Sequence, residues 1–186
     1  MKKYILYISA TLAILLSCKE KPTQDQVTVQ SQSKNQPEKQ LPITNLFPVI
    51  PLENLPKVDS TNFDNFKQKN KLTDAQIEKL YLKKVNPNAE SFYTRYKLSL
   101  SKDFETLAVT ATSEMEMTTY IINYDKDYTI LDYLPIAYDE IAESWLWTTA
   151  IINKTAITVD GHNSSGEEDE LTKETYHLKN NKFVKN

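Results

Sequence analysis

The chain has 186 residues, 25% of them charged and 40% hydrophobic, with two glycines, one cysteine, two histidines and a formal net charge of −3. A metal site built only from several histidine and cysteine ligands therefore cannot form within one chain. Both glycines, Gly161 and Gly166, fall in one segment, which excludes glycine-rich phosphate-binding motifs and the GxSxG nucleophile elbow. The length predicts a single domain.

The first residues have the pattern of an export signal. Lys2 and Lys3 precede an uncharged, mostly apolar stretch over residues 4–16. This stretch is shorter than the roughly 20 apolar residues that a membrane-spanning helix needs. It has the length expected for the apolar core of a secretory signal peptide.

The residues that follow, Leu15, Leu16, Ser17 and Cys18, resemble the lipobox of bacterial lipoprotein precursors. The resemblance implies that residues 1–17 are a signal peptide and that the thiol of Cys18 carries a diacylglycerol, with a further fatty acid such as palmitate on the new amino terminus. It also implies a cell-envelope location, with a lipid anchor in the membrane that holds the protein stably. We expect the outer membrane, facing the periplasm. The mixed charges of residues 19–21 leave surface exposure open.

Residues 18–40 are predicted to be a disordered tether behind the lipidated cysteine. Only Val27 and Val29 are apolar between residues 19 and 40, too few to offset the entropy lost on ordering. Residues 41–186 are predicted to form one domain. Its first part, residues 41–56, contains four prolines among large apolar side chains, which favours an extended strip packed on the domain.

Residues 73–82 predict a short helix near the start of this domain. Thr73 and Gln76 have the spacing of a capping box, and Ile77, Leu80 and Tyr81 fall on one helical face.

From Phe92 onward the hydrophobic pattern alternates with a period of two, which is typical of strands. Residues 92–100 predict a first strand with Phe92, Thr94, Tyr96, Leu98 and Leu100 on one face. Further strands are predicted over 107–111, 117–124, 128–134, 145–152, 155–159, 171–178 and 182–184. The pattern predicts an α+β fold, a mostly antiparallel meander of about seven or eight strands with a short N-terminal helix. A small β-barrel is the alternative.

The charge is distributed unevenly along the chain. Residues 101–170 contain 15 aspartates and glutamates but only 3 lysines, a net charge of −12. Two connections carry the acidic residues that we predict to form a binding face, namely Asp139, Glu140, Glu143, Glu167, Glu168, Asp169 and Glu170. Such a face attracts a basic protein or peptide and repels nucleic acid. The alternatives are a solubilising surface, or neutralisation within the fold by Lys67, Lys69, Lys71, Lys83 or Lys84.

Trp145 and Trp147 are the candidate aromatic contact residues. Their spacing of two places them on one face of the predicted strand. Burial would make them part of the core, and exposure would make them a contact surface.

Catalytic and metal-binding patterns are weak. Residues 160–167 fail the calcium-binding EF-hand template, and their glycine, asparagine and serine content favours a flexible hairpin loop. Asp139 and Glu143 are an acid pair of the kind a glycosidase uses, but their separation depends on the fold. We therefore predict no catalytic residue, no metal and no cofactor.

The leading prediction is a lipid-anchored envelope protein that acts as a non-enzymatic binding module of the inhibitory or immunity type. Its acidic face would meet a basic partner. One alternative is a carboxylate-dependent hydrolase acting on envelope glycans. The other is a structural accessory of an outer-membrane complex.

Overall fold

The computed structural model describes residues 50–141 and 145–186. The predicted signal peptide, Cys18, the predicted tether and Glu143 lie outside the described residues. Within these two ranges, no helix is long and apolar enough to cross a membrane.

Residues 50–141 and 145–186 form ten strands and two short helices. The strands are β1 (Leu52–Glu53), β2 (Lys57–Asp59), β3 (Ser91–Leu98), β4 (Glu105–Thr112), β5 (Glu116–Tyr124), β6 (Ile130–Glu140), β7 (Leu146–Ile152), β8 (Ala156–Asn163), β9 (Glu170–Lys179) and β10 (Lys182–Lys185). The helices are α1 (Asp74–Lys79) and α2 (Leu82–Val85). The prediction of a mostly antiparallel β fold is confirmed. The strand number was underestimated because the short strands β1 and β2 carry no alternating pattern.

Strands β3 to β10 pair in chain order as an antiparallel meander. β1 adds to the outer edge of β3 in parallel, and β2 pairs with part of β7. The sheet order runs from β1 at one edge to β10 at the other and does not close. The small-barrel alternative is therefore wrong.

The helix begins as predicted and ends early. The Thr73 hydroxyl accepts from the Gln76 amide, and the Gln76 side chain accepts from the Thr73 amide, so the capping box is present. The chain leaves α1 at Leu80, and Tyr81 adopts a left-handed conformation with φ of 54°. This break turns the buried side chains of Leu80 and Leu82 toward the sheet.

One face of strands β3 to β6 packs beneath the helical segment. This first core cluster joins Leu80, Leu82 and Val85 to Phe92 on β3 and Tyr124 on β5. Burial of each large apolar side chain contributes about 1.5–3 kcal/mol to stability.

The opposite face of the same strands packs against β7 to β10. This second core cluster joins Ile121 and Ile136 to Ile152 and Ile157. Two hydrogen bonds also hold the halves of the sheet together. The Asn123 side chain donates to the Asn181 carbonyl at 3.2 Å, and the Phe183 amide donates to the Asp132 carboxylate at 2.7 Å.

A bulge in β3 overturns the prediction that residues 92–100 present one face. The register against β4 shifts between Thr94 and Tyr96, so Arg95 is an extra residue. Phe92 consequently lies in the first core cluster, whereas Tyr96 and Leu98 lie in the second. Because both faces of β3 are covered, an apolar side chain of this strand is buried whichever face it occupies.

Two of the tight turns between adjacent strands contain asparagine. The strands β9 and β10 are joined through Asn180 and Asn181, which have φ of 51° and 65°. Asparagine tolerates a positive φ better than most residues do. In this glycine-poor chain it therefore occupies turn positions that require a positive φ. Asn153 and Lys154 lie in the turn between β7 and β8.

Candidate functional site

One end of the sheet gathers acidic residues from several separate segments. Glu116, which starts β5, pairs with Glu140 at the end of β6. The end of β8 pairs with the start of β9 through Asn163 and Glu170. The β6 end lies beside the β7 start because Tyr138 pairs with Thr148. We call this region the acidic end. Its members are Glu116, Asp139, Glu140, Glu167, Glu168, Asp169 and Glu170.

These carboxylates do not all have the same surroundings. Asp139 is half-buried and accepts a 2.9 Å hydrogen bond from the Phe63 amide, so it holds the loop after β2. Glu170 is exposed and accepts from the Asn163 side chain at 3.2 Å. Residues 167–169 lie exposed in the loop between β8 and β9. Asp139 therefore supports the fold, while the loop carboxylates face solvent.

Tyr138 lies between two of these acids. Its hydroxyl donates to the Glu140 carboxylate at 3.0 Å. Burial, the bond to Glu140 and the nearby charge of Glu116 raise the pKa of the Tyr138 hydroxyl well above its usual value. The phenol therefore stays protonated and serves as a hydrogen-bond donor between like charges.

The predicted neutralisation of these acids by the helical lysines is not seen for the β8–β9 loop. In the part of the chain that the structure describes, residues 167–170 form no ion pair with a lysine or arginine. Lys83 instead donates to the Ala89 carbonyl at 2.5 Å and lies over the Phe92 ring. Lys84 lies over the Tyr81 ring, with 4.5 Å to its centroid.

A cavity opens where β6 and β7 separate. The two strands pair only at Tyr138 and Thr148, because β2 takes the following part of the β7 edge. The loop that leaves β2 runs across the gap and borders an open cavity with a volume of about 340 Å³. We call it the Trp147 cavity. Its wall includes Asn62, Asp64, Asn65, Asp139, Trp147 and Thr149.

The two tryptophans have different positions. Trp145 precedes β7, with 44% of its surface exposed. Trp147 lies within β7, is half-buried and stacks on His162, with 4.6 Å between ring centroids and 6° between ring planes. The prediction of a loop over residues 160–167 is wrong at its start, since residues 160–163 belong to β8. His162 was missed as a partner of Trp147 because strand pairing, not sequence proximity, brings them together.

No three histidine, cysteine, aspartate or glutamate side chains cluster as metal ligands within residues 50–141 and 145–186. The chain matches no known family model, and neither a curated protein nor a solved structure is significantly similar to it.

Proposed function

We propose that the protein is a lipid-anchored component of a bacterial cell envelope whose domain binds a basic protein or peptide through the acidic end. The observation that supports this is topological. Strand pairing gathers carboxylates from three segments at one end of the sheet, and those of residues 167–169 are exposed without a cationic partner among the described residues. A concentrated negative charge of this kind speeds association with basic partners.

An inhibitory or immunity-type module is the role that we propose for this binding domain. A module of this type requires a surface that carries charges of one sign, and it requires no reacting groups. The exposed loop of residues 167–169 carries only negative charges. The hydrolase and the structural accessory stay as alternative predictions.

The experiment compares two variants with the same change in net charge. Glu167, Glu168 and Glu170 are each changed to Lys in one variant. In the control, the exposed residues Glu78, Asp103 and Asp127 are changed to Lys. The unchanged protein and both variants are immobilised and exposed to envelope extract. A basic protein that is captured is then purified, and its association rate with each immobilised protein is measured.

We expect only the first variant to slow association. The association rate of the unchanged protein should also fall as salt rises, because the screening length shrinks from about 30 Å at 0.01 M to about 8 Å at 0.15 M. Equal slowing in both variants, or an association rate independent of salt, would contradict the proposal.

A further inference from the structure

The Trp147 cavity is built on rigid elements. Asn62 and Asn65 cross-link the loop after β2, since each backbone amide donates to the other side chain, at 3.1 and 3.0 Å. The Asn65 side chain also donates to the Ser60 carbonyl at 2.8 Å. The loop is fastened to β6 by the bond from the Phe63 amide to Asp139. The wall is thus ordered before any ligand arrives, which lowers the entropic cost of binding.

The cavity wall combines a flat apolar ring with convergent polar groups. His162 on β8 covers one face of the Trp147 indole, while the cavity lies on the side of β6 and the β2 loop. The polar residues Thr149, Asp64 and Asp139 line the same cavity as Trp147. A sugar ring has the matching chemistry, because its C–H face is apolar and its hydroxyls both donate and accept hydrogen bonds.

The charge of the wall narrows the ligand class further. It includes two aspartates, and the described residues that line it include no lysine, arginine or histidine. Phosphate, sulfate and acidic sugars would be repelled by these carboxylates. The volume of about 340 Å³ lies at the lower end of the range for ligand pockets, which suits one sugar residue better than a nucleotide or a larger cofactor.

We infer that the Trp147 cavity is a binding site for a neutral sugar residue of a glycan. In this arrangement the sugar stacks its apolar face on the free side of the Trp147 ring. Its hydroxyls donate to the carboxylates of Asp64 and Asp139. The cavity adjoins the acidic end, because Asp139 belongs to both, but residues 167–170 are not among the residues that line it.

The test replaces the two tryptophans of the chain, Trp145 and Trp147, one at a time. Trp145→Phe leaves Trp147 as the only tryptophan, so its fluorescence reports on the cavity. The full-length protein, in a detergent without a sugar headgroup, is titrated with neutral trisaccharides of glucose, galactose and N-acetylglucosamine. A trisaccharide of galacturonic acid is the anionic control. Calorimetry gives the affinity of each variant for the same sugars.

We expect at least one neutral trisaccharide to change the Trp147 fluorescence, and Trp147→Phe to weaken its binding at least about tenfold, a loss of about 1.4 kcal/mol. Asp64→Ala should weaken binding similarly, and because Asp64 is exposed, the melting temperature should stay the same. Trp145→Phe should bind as the unchanged protein does. The Lys variant of residues 167, 168 and 170 should also retain sugar binding. A failure of sugar binding can therefore be distinguished from a failure of binding to the basic partner.

Three results would overturn the inference. One is that no neutral trisaccharide binds at about 1 mM. Another is that Trp147→Phe and Asp64→Ala both bind as the unchanged protein does. The third is that the galacturonic acid trisaccharide binds more tightly than every neutral sugar.

Discussion

The Tyr96 hydroxyl donates a 2.6 Å hydrogen bond to the carboxyl group of Asp59, and both residues are buried. Tyr96 lies on β3 and Asp59 on β2, which pairs with β7, so this bond joins the two halves of the sheet across the second core cluster. Asp59 also accepts from the amide and hydroxyl of Thr61. The acid thereby fixes the point at which the loop around the Trp147 cavity begins.

Removing the hydroxyl of Tyr96 should destabilise the domain. Tyr96→Phe takes one donor from a buried acid, and a hydrogen bond to a charged group contributes about 1.5–3 kcal/mol. Urea unfolding should show this loss in the free energy of unfolding. Tyr133→Phe is the control. Tyr133 is 40% exposed, so this substitution should leave the free energy of unfolding almost unchanged. Equal losses in the two variants would disprove a special role for the bond to Asp59.

Glu105 should make stability depend on pH. Burial raises its pKa above the ordinary value of 4.5, although Lys97 offsets part of the rise. One of its carboxylate oxygens is buried without a hydrogen-bond partner among the described residues. The folded chain therefore holds this proton more tightly than the unfolded chain, and stability falls as pH rises from 4.5 through the folded-state pKa.

Glu105→Gln should accordingly raise the free energy of unfolding at pH 7, because the variant buries no charge. The difference should shrink as the pH falls and vanish well below pH 4.5, where both the folded and the unfolded state carry a protonated Glu105. Unfolding curves measured across this pH range check the prediction, with the exposed Asp127→Asn as control. A gain of the same size at every pH would argue against burial of the charge as its cause.

Glu116 and Glu140 lie directly opposite each other on β5 and β6. Like charges in this arrangement are destabilising, by an amount on the order of 0.2–1 kcal/mol. Glu116→Gln should therefore stabilise the domain at pH 7 and low salt, and the gain should shrink as salt screens the repulsion. Glu114→Gln, in the exposed turn before β5, is the matched control. A salt-independent gain would point to a cause other than charge.

The two glycines should respond differently to alanine. At Gly161, an added Cβ would lie 2.5 Å from the Thr172 hydroxyl oxygen on β9, so Gly161→Ala should push the exposed Thr172 side chain off its rotamer, at a cost of about 0.5–1.5 kcal/mol. The nearest atom at Gly166 is 3.7 Å away, so Gly166→Ala should be tolerated. Thr172→Ala combined with Gly161→Ala should recover most of the loss in a double-mutant cycle. Additive losses would show that the contact with Thr172 is not the cause.

The lipid anchor is predicted from the sequence alone. Cys18→Ala removes the thiol that the lipobox resemblance implies to be modified. The variant should accumulate as a precursor that takes up no labelled palmitate, whereas the unchanged protein should be labelled and fractionate with membranes. Equal labelling of the two proteins would remove the lipoprotein interpretation.

Signals confined to neighbouring residues were sufficient for the local structure. The capping box of Thr73 and Gln76 starts the helix, and Asn180 with Asn181 forms the last turn. Each depends on hydrogen bonds or backbone preferences within a few residues, so the sequence determines it without knowledge of the rest of the fold. The alternating pattern likewise predicted an antiparallel sheet.

Only the tertiary structure decided which faces are buried and which residues meet. The sequence hid the bulge at Arg95, because Phe92, Tyr96 and Leu98 all fall on one alternating pattern. The extra residue nevertheless places Phe92 in the first core cluster and the other two in the second. The stacking of Trp147 on His162 and the gap between β6 and β7 depend on which strands pair, and β2 enters that pairing from far along the chain. Which strands pair depends on the packing energy of the whole domain. That energy is a sum over contacts between residues distant in sequence, so a short stretch of sequence does not predict the pairing.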